Sequence, residues 1–173
     1  MPKAKVGPKA TTTAVTFYDV VVWLHVTAVV VAFGPTFAFG IYIAMTARNH
    51  PRSIPAALEA QNAVNRTLVT IGGIVVLISG LYLAADGDWF DEAFVGFGIV
   101  ASIVLLGLVH GYFLPNDRRA LTAAKRDIEA AGSGEVKFGE EFNRANLASA
   151  RVGPIAGLIV VIAIYFMVAK PFL

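Results

Sequence analysis

The sequence predicts an all-α, integral membrane four-helix bundle with cytoplasmic amphipathic helices between its third and fourth spans. Three observations carry that prediction. Of 173 residues, 57% are hydrophobic and only 15% charged. Mean hydropathy is +0.68. The apolar residues also gather in four long runs with polar loops between them. A soluble domain carries about a quarter charged residues, whereas this balance suits a chain whose outer surface meets lipid. Lipid offers backbone groups no hydrogen-bond partner, so each run is expected to be a helix. The spans fall at about 17–47, 67–85, 93–114 and 152–169. They make one membrane domain, 17–173, preceded by a tail, 1–16, and interrupted by an amphipathic segment, 116–150. There is no cysteine, which removes disulfides, thiolate metal sites and cysteine nucleophiles. The net charge of +2 and pI near 9.0 report membrane topology and do not point to nucleic acid.

Met1 to Ala14 places Lys3, Lys5 and Lys9 among Pro, Gly and Thr without an apolar period, and is expected to be a polar, mobile tail. The run after it is too long for a signal-peptide core, and no small-residue cleavage site precedes the next polar loop, so an uncleaved anchor is expected. Span one, Phe17 to Ala47, holds some thirty residues at about 1.5 Å each, more than the roughly 30 Å of hydrocarbon, so it must tilt, kink or protrude. Gly34-Pro35 is the expected kink. Ala28, Ala32, Thr36, Gly40 and Ala44 recur every four residues and form a ridge of small side chains that admits another helix closely. His25 lies on that ridge, nearly two turns before Ala32, and so is expected to face the bundle.

Arg48 to Arg66 is a basic loop whose Ala/Leu-rich half predicts a short surface helix. Span two, Thr67 to Ala85, has Gly72-Gly73 and Ser79-Gly80 as thin places for packing. The acidic turn Asp86 to Glu92 is short enough to make spans two and three antiparallel neighbours. Span three, Ala93 to Leu114, is expected to stop at Pro115, with Asn116 and Asp117 capping a separate amphipathic helix over Arg118 to Ala131. Gly132-Ser133-Gly134 breaks it. Phe138, Phe142, Ala145 and Ser149 predict a second amphipathic segment before Arg151, and Val152 to Ala169 is span four, opening with the Gly153/Gly157 pair.

Lysine and arginine fill the first and third loops, from Arg48 to Arg66 and from Arg118 to Arg151, and are absent from Asp86 to Glu92. The positive-inside rule puts those two loops in the cytoplasm and both termini outside the plasma membrane. The tail lysines oppose this and are outnumbered.

Ionisable groups inside a span are costly and are functional candidates by default. His25 lies about eight residues into span one, roughly 12 Å, and His110 about seventeen into span three, roughly 26 Å. The two are therefore not expected to pair on one haem. Ser79 and Tyr82 of span two, Ser102 of span three and Tyr165 of span four share the level of His25. They support two readings, a hydrogen-bonded structural histidine or an oriented ligand. His110, beside Tyr112, reads as interfacial, His50 as solvated and Asp19 as a helix-start carboxylate. Phosphate loops, H-E-x-x-H and G-x-S-x-G are absent. No catalytic residue and no metal site is assigned.

Trp23-Leu24-His25-Val26, Phe33-Gly34, Arg48, Ser79-Gly80-Leu81, the acidic loop with Trp89, and Arg118-Arg119 together resemble a bacterial family of predicted four-span membrane proteins without an assigned function. The likeness covers about Tyr18 to Ala120. The leading Leu-His with Phe-Gly about nine residues on is also similar to copper-resistance membrane proteins and to HemJ-type protoporphyrinogen oxidases, four-span proteins that use haem b. That resemblance implies haem b at His25, with His110 matching a histidine late in the third span. The chain departs from both groups. The early third-span lysine of the HemJ type is missing between Ala93 and Leu106, and Met1, Met45 and Met167 are the only soft ligands for copper. Two functions follow. One is a haem-associated protein of redox character with Ser79, Tyr82 or Ser102 orienting His25. The other is a non-enzymatic accessory or scaffold subunit whose small-residue ridges build a homo-oligomer or dock on a larger membrane complex. Whether the protein is an enzyme stays open. A transporter ranks last, because the spans lack a row of polar groups.

Overall fold

The structure, a computed structural model, describes residues 14–170 and thereby leaves Lys3, Lys5 and Lys9 outside the described residues. It is all-helical, with no strand among those residues and four rods long and apolar enough to cross a membrane. The first rod is α1 (Phe17–Phe33) and α2 (Thr36–Asn49). The second runs from a 3₁₀ turn at Pro51–Ser53 through α3 (Ile54–Val64) and a π turn (Asn65–Val69) into α4 (Thr70–Asp86). The third joins α5 (Ala93–Leu108), a π turn (Val109–Phe113) and α6 (Leu114–Ala131), and the fourth is α7 (Glu140–Ala169).

Local chemistry sets the rod ends. At the start of α1 the Thr16 hydroxyl accepts from the Asp19 N–H at 3.2 Å, while the Thr16 N–H donates to the Asp19 carboxylate at 2.9 Å. This capping box satisfies donors that the first turn otherwise leaves free. The first rod bends at Gly34-Pro35. Pro35 has no N–H to continue the ladder, and a Cβ on Gly34 would stand 2.6 Å from the Val30 carbonyl oxygen, so the residue before the bend must be glycine.

Three sequence expectations change. Pro115 does not stop the third helix, which runs on to Ala131. The π turn at Val109–Phe113 resets the ladder so that Pro115 falls in the first turn of α6, where its missing N–H matters least. Asn116 and Asp117 are accordingly helix interior and do not act as caps. The stretch 54–64 is no separate surface helix but the continuation of the second rod, and the segment around Phe142 is the start of α7, with Pro154 inside it.

The rods pack differently at their two ends. Toward the acidic loop, α1 lies on α4, α4 on α5 and α5 on α7, and α1 makes no extended contact with α7 to close the row. Toward the basic loops, α2 touches α3 and α7, α3 touches α6, and α6 touches α7, a closed ring. Ile43, Ile54, Leu58, Ala124, Phe142 and their neighbours fill it. Its outside carries ion pairs, Lys125 to Glu59 at 2.7 Å and Arg126 to Glu141 at 2.8 Å, as a surface facing water does. The long apolar side chains of α7 beyond the ring, Ile155, Leu158, Val161 and Ile164, are exposed, as lipid contact requires.

Candidate functional site

The ridge of α1 is occupied by α4. A Cβ on Gly72 would fall 2.6 Å from the Ala32 Cβ, so the two helices meet where neither has a side chain to spare. Two turns nearer the acidic end, half-buried His25 lies on Gly80, where a Cβ would come 3.1 Å from the imidazole Cε1. Its Nδ1 is 2.9 Å from the Oγ of buried Ser79. The Ser79 hydroxyl donates to the Val75 carbonyl at 2.6 Å, with Val76 at 3.3 Å. A serine has one hydrogen to give, and the helix backbone takes it. Ser79 is therefore the acceptor, Nδ1–H the donor, and in the neutral ring Nε2 carries the lone pair.

His110, exposed on the π turn of the third rod, repeats the arrangement with its other nitrogen. Its Nε2 is 3.1 Å from the Thr70 hydroxyl, which donates to the Asn65 carbonyl at 2.8 Å. Thr70 and Ser79 are nine residues apart on α4. At about 1.5 Å per residue the two imidazoles are held some 13.5 Å apart in depth. The other residues predicted around His25 look elsewhere. Tyr82 donates to Asp86 at 3.4 Å and sets its ring edge-on to Phe17. Ser102 donates to the Gly98 carbonyl of its own helix at 2.8 Å, and Tyr165 is exposed. Of the four, Ser79 alone is hydrogen-bonded to His25.

A second polar centre escaped the sequence reading. Asp117, only 2% exposed, accepts from the Gln61 amide at 2.9 Å, the Asn65 amide at 3.4 Å and the Ser149 hydroxyl at 3.4 Å. Asn116 donates to the Ala145 carbonyl and to Ser149, at 2.8 and 2.9 Å, tying α7 to the same group. The carboxylate fixes the Gln61 amide with its nitrogen inward, because an oxygen turned that way would meet another acceptor. The Gln61 Oε1 is buried and has no hydrogen-bond partner. Among the described residues no lysine, arginine or histidine pairs with Asp117. Gln61 and Asn65 stand one turn apart on the second rod; that spacing on an otherwise Ala/Leu-rich face was the available signal. Reading Pro115 as a stop hid it, since Asp117 then belonged to a solvated cap.

This centre closes one end of a cavity of about 690 Å³ between α2, the second and third rods and α7. Asp117, Gln61, Asn65, Asn146 and Ser149 line its polar end, and Phe33, Leu105 and Val160 its apolar end. Neither His25 nor His110 lines it.

The family model described as "Predicted integral membrane protein (DUF2269)" matches residues 19–171. No match was found among curated proteins or among solved structures.

Proposed function

The chain belongs to the DUF2269 family of predicted integral membrane proteins, and from that premise we propose that it associates with haem b through His25. The observation that carries this reading is the relay from His25 Nδ1–H to Ser79 Oγ to the Val75 carbonyl, which leaves the lone pair of the neutral ring on Nε2. Ligand histidines are commonly held this way, with the second nitrogen fixed by a hydrogen bond that sets tautomer and ring orientation. His25 would hold the haem iron, with Ser79 its positioning residue and Gly80 the place where the ring fits against α4. The 13.5 Å or so of depth between the histidines argues against His110 as a second ligand of the same iron. A haem held there supplies one-electron chemistry. The basic end is assigned to the cytoplasm, and the termini to the outside of the plasma membrane.

The test is an absorption spectrum of protein purified with haem available, before and after reduction. A Soret band lost in His25→Ala and shifted in Ser79→Ala is expected; a colourless preparation removes the reading. A homo-oligomer or scaffold role is the second reading. Its observation is that Gly107 and Gly111, one turn apart on the third rod, have nothing within 4 Å of an added Cβ, an open strip on which another helix could close. Crosslinking in native membranes should trap one defined oligomer, and monomers alone would count against it.

A further inference from the structure

We propose that the cavity at the basic end is a binding site for a membrane amphiphile with an ammonium headgroup, held by Asp117 and Gln61. The polar end presents acceptors. Asp117 is a buried carboxylate whose three protein partners are all neutral donors, so its charge has no counter-charge from the chain, a costly arrangement that a cation relieves. Gln61 is 9% exposed and lines the cavity, and its Oε1 lacks a donor. A third acceptor follows from Pro154, which has no N–H to return to the carbonyl of Ala150; both residues line the same space. One charged and two neutral acceptors specify a ligand that brings hydrogens and positive charge, which an ammonium group does with three donors.

The rest of the cavity specifies what the ammonium is attached to. Its lining on α7 runs from Ala145 to Val161, about 24 Å at 1.5 Å per residue, long enough for an acyl chain. Away from Asp117 the walls are mostly apolar, with Phe, Leu, Val and Ile interspersed with Gly and Ala. Phe37 reaches across to α7, where its Cε1 is 3.1 Å from a Cβ built on Gly157, and Gly40 and Gly153 leave open space in the wall. A molecule lying with its head at the basic end and its tail toward mid-membrane has the orientation of a lipid in one leaflet. The class is a long-chain amphiphile with a primary ammonium, either a two-chain phosphatidylethanolamine or a single-chain alkylamine. The proposal stands apart from haem at His25, which lies outside this cavity.

The experiment titrates the purified full chain with phosphatidylethanolamine, with phosphatidylglycerol of the same acyl chains, and with dodecylamine, followed by native mass spectrometry. The ammonium lipid, the amine or both should bind about tenfold more tightly than phosphatidylglycerol, the scale of one charge-assisted hydrogen-bonded contact; which of the two binds identifies the source. Asp117→Asn should bring binding down to the phosphatidylglycerol level. Gly153→Leu, which fills open space in the wall without touching Asp117, should abolish binding while the unfolding midpoint without ligand is kept. If neither the ammonium lipid nor the amine binds more tightly than phosphatidylglycerol, the proposal is overturned, as it is by a preference that survives Asp117→Asn in a folded variant. If Asp117→Asn does not fold, Gly153→Leu decides, and undiminished ammonium binding in that variant overturns the proposal.

Discussion

Toward the acidic loop, α1 leans on α4 across Gly72 and Gly80, whereas toward the basic loops α2, α3, α6 and α7 close around Phe142 and Ile54. The same rods supply both halves, so the difference lies in the solvent each meets. In lipid, burying a valine against another helix gains little over leaving it against acyl chains. Close approach of small residues and hydrogen bonds then decide which helices touch. At the basic end water surrounds the rods, and apolar burial works as it does in a soluble bundle. The candidate sites divide along the same line. His25 is held by one side-chain hydrogen bond in the open half, and Asp117 by three at the edge of the closed one.

Four measurements test this division, the first three by unfolding of the purified protein. Phe142→Ala should cost most, about 3–5 kcal/mol, because it empties the centre of a ring with little freedom to collapse. Asp117→Ala comes next at about 1–3 kcal/mol, since it leaves the Gln61 and Asn65 amides without their acceptor. Gly72→Ala should cost about 1–3 kcal/mol by forcing α1 from α4, whereas Gly107→Ala, with nothing within 4 Å, should be neutral or stabilising by up to about 1 kcal/mol. Equal losses at the two glycines would break the idea that close contact holds the open half.

The smallest effect concerns the clamp between α6 and α7. The Gly139 N–H donates to the Asp127 carboxylate at 2.7 Å, and this bond, with the Arg126 guanidinium beside it, holds the carboxyl below its ordinary 3.8. Folding thus favours the ionised form. The clamp's contribution is complete above the ordinary value and is lost as the pH falls through the lowered one. Protection of the Gly139 amide from hydrogen exchange, corrected for intrinsic rates, should fall as the pH is taken from neutral down through the lowered value. An unchanged protection factor would remove Asp127 from the clamp.

Much of the open half was legible along the chain. The kink at Gly34-Pro35, the ridge through Ala28 and Ala32, and the inward direction of His25 all follow from local periodicity. Ser79 was among the predicted neighbours of His25, but so were Tyr82 and Ser102. Depth alone does not tell which side of a helix faces a neighbour, and Ser102 spends its hydroxyl on its own backbone. The closed half was less legible because its meaning depends on continuity through Pro115. A proline after an apolar run reads as an end, and only the preceding π turn lets the helix continue.

What the amino-acid sequence determined by itself is the class of molecule: four apolar helices, a basic end, an acidic end and a histidine kept from lipid. These follow from the energetics of single segments, each of which must meet hydrocarbon or water alone. Tertiary structure decided which polar side chains meet. Gln61, Asn65, Asp117 and Ser149 come from three rods, and their convergence depends on the rotational phase that the two π turns give to the second and third rods. Such phase is a property of the assembled bundle, since a shift of one residue turns a side chain through about 100° and exchanges a buried contact for lipid.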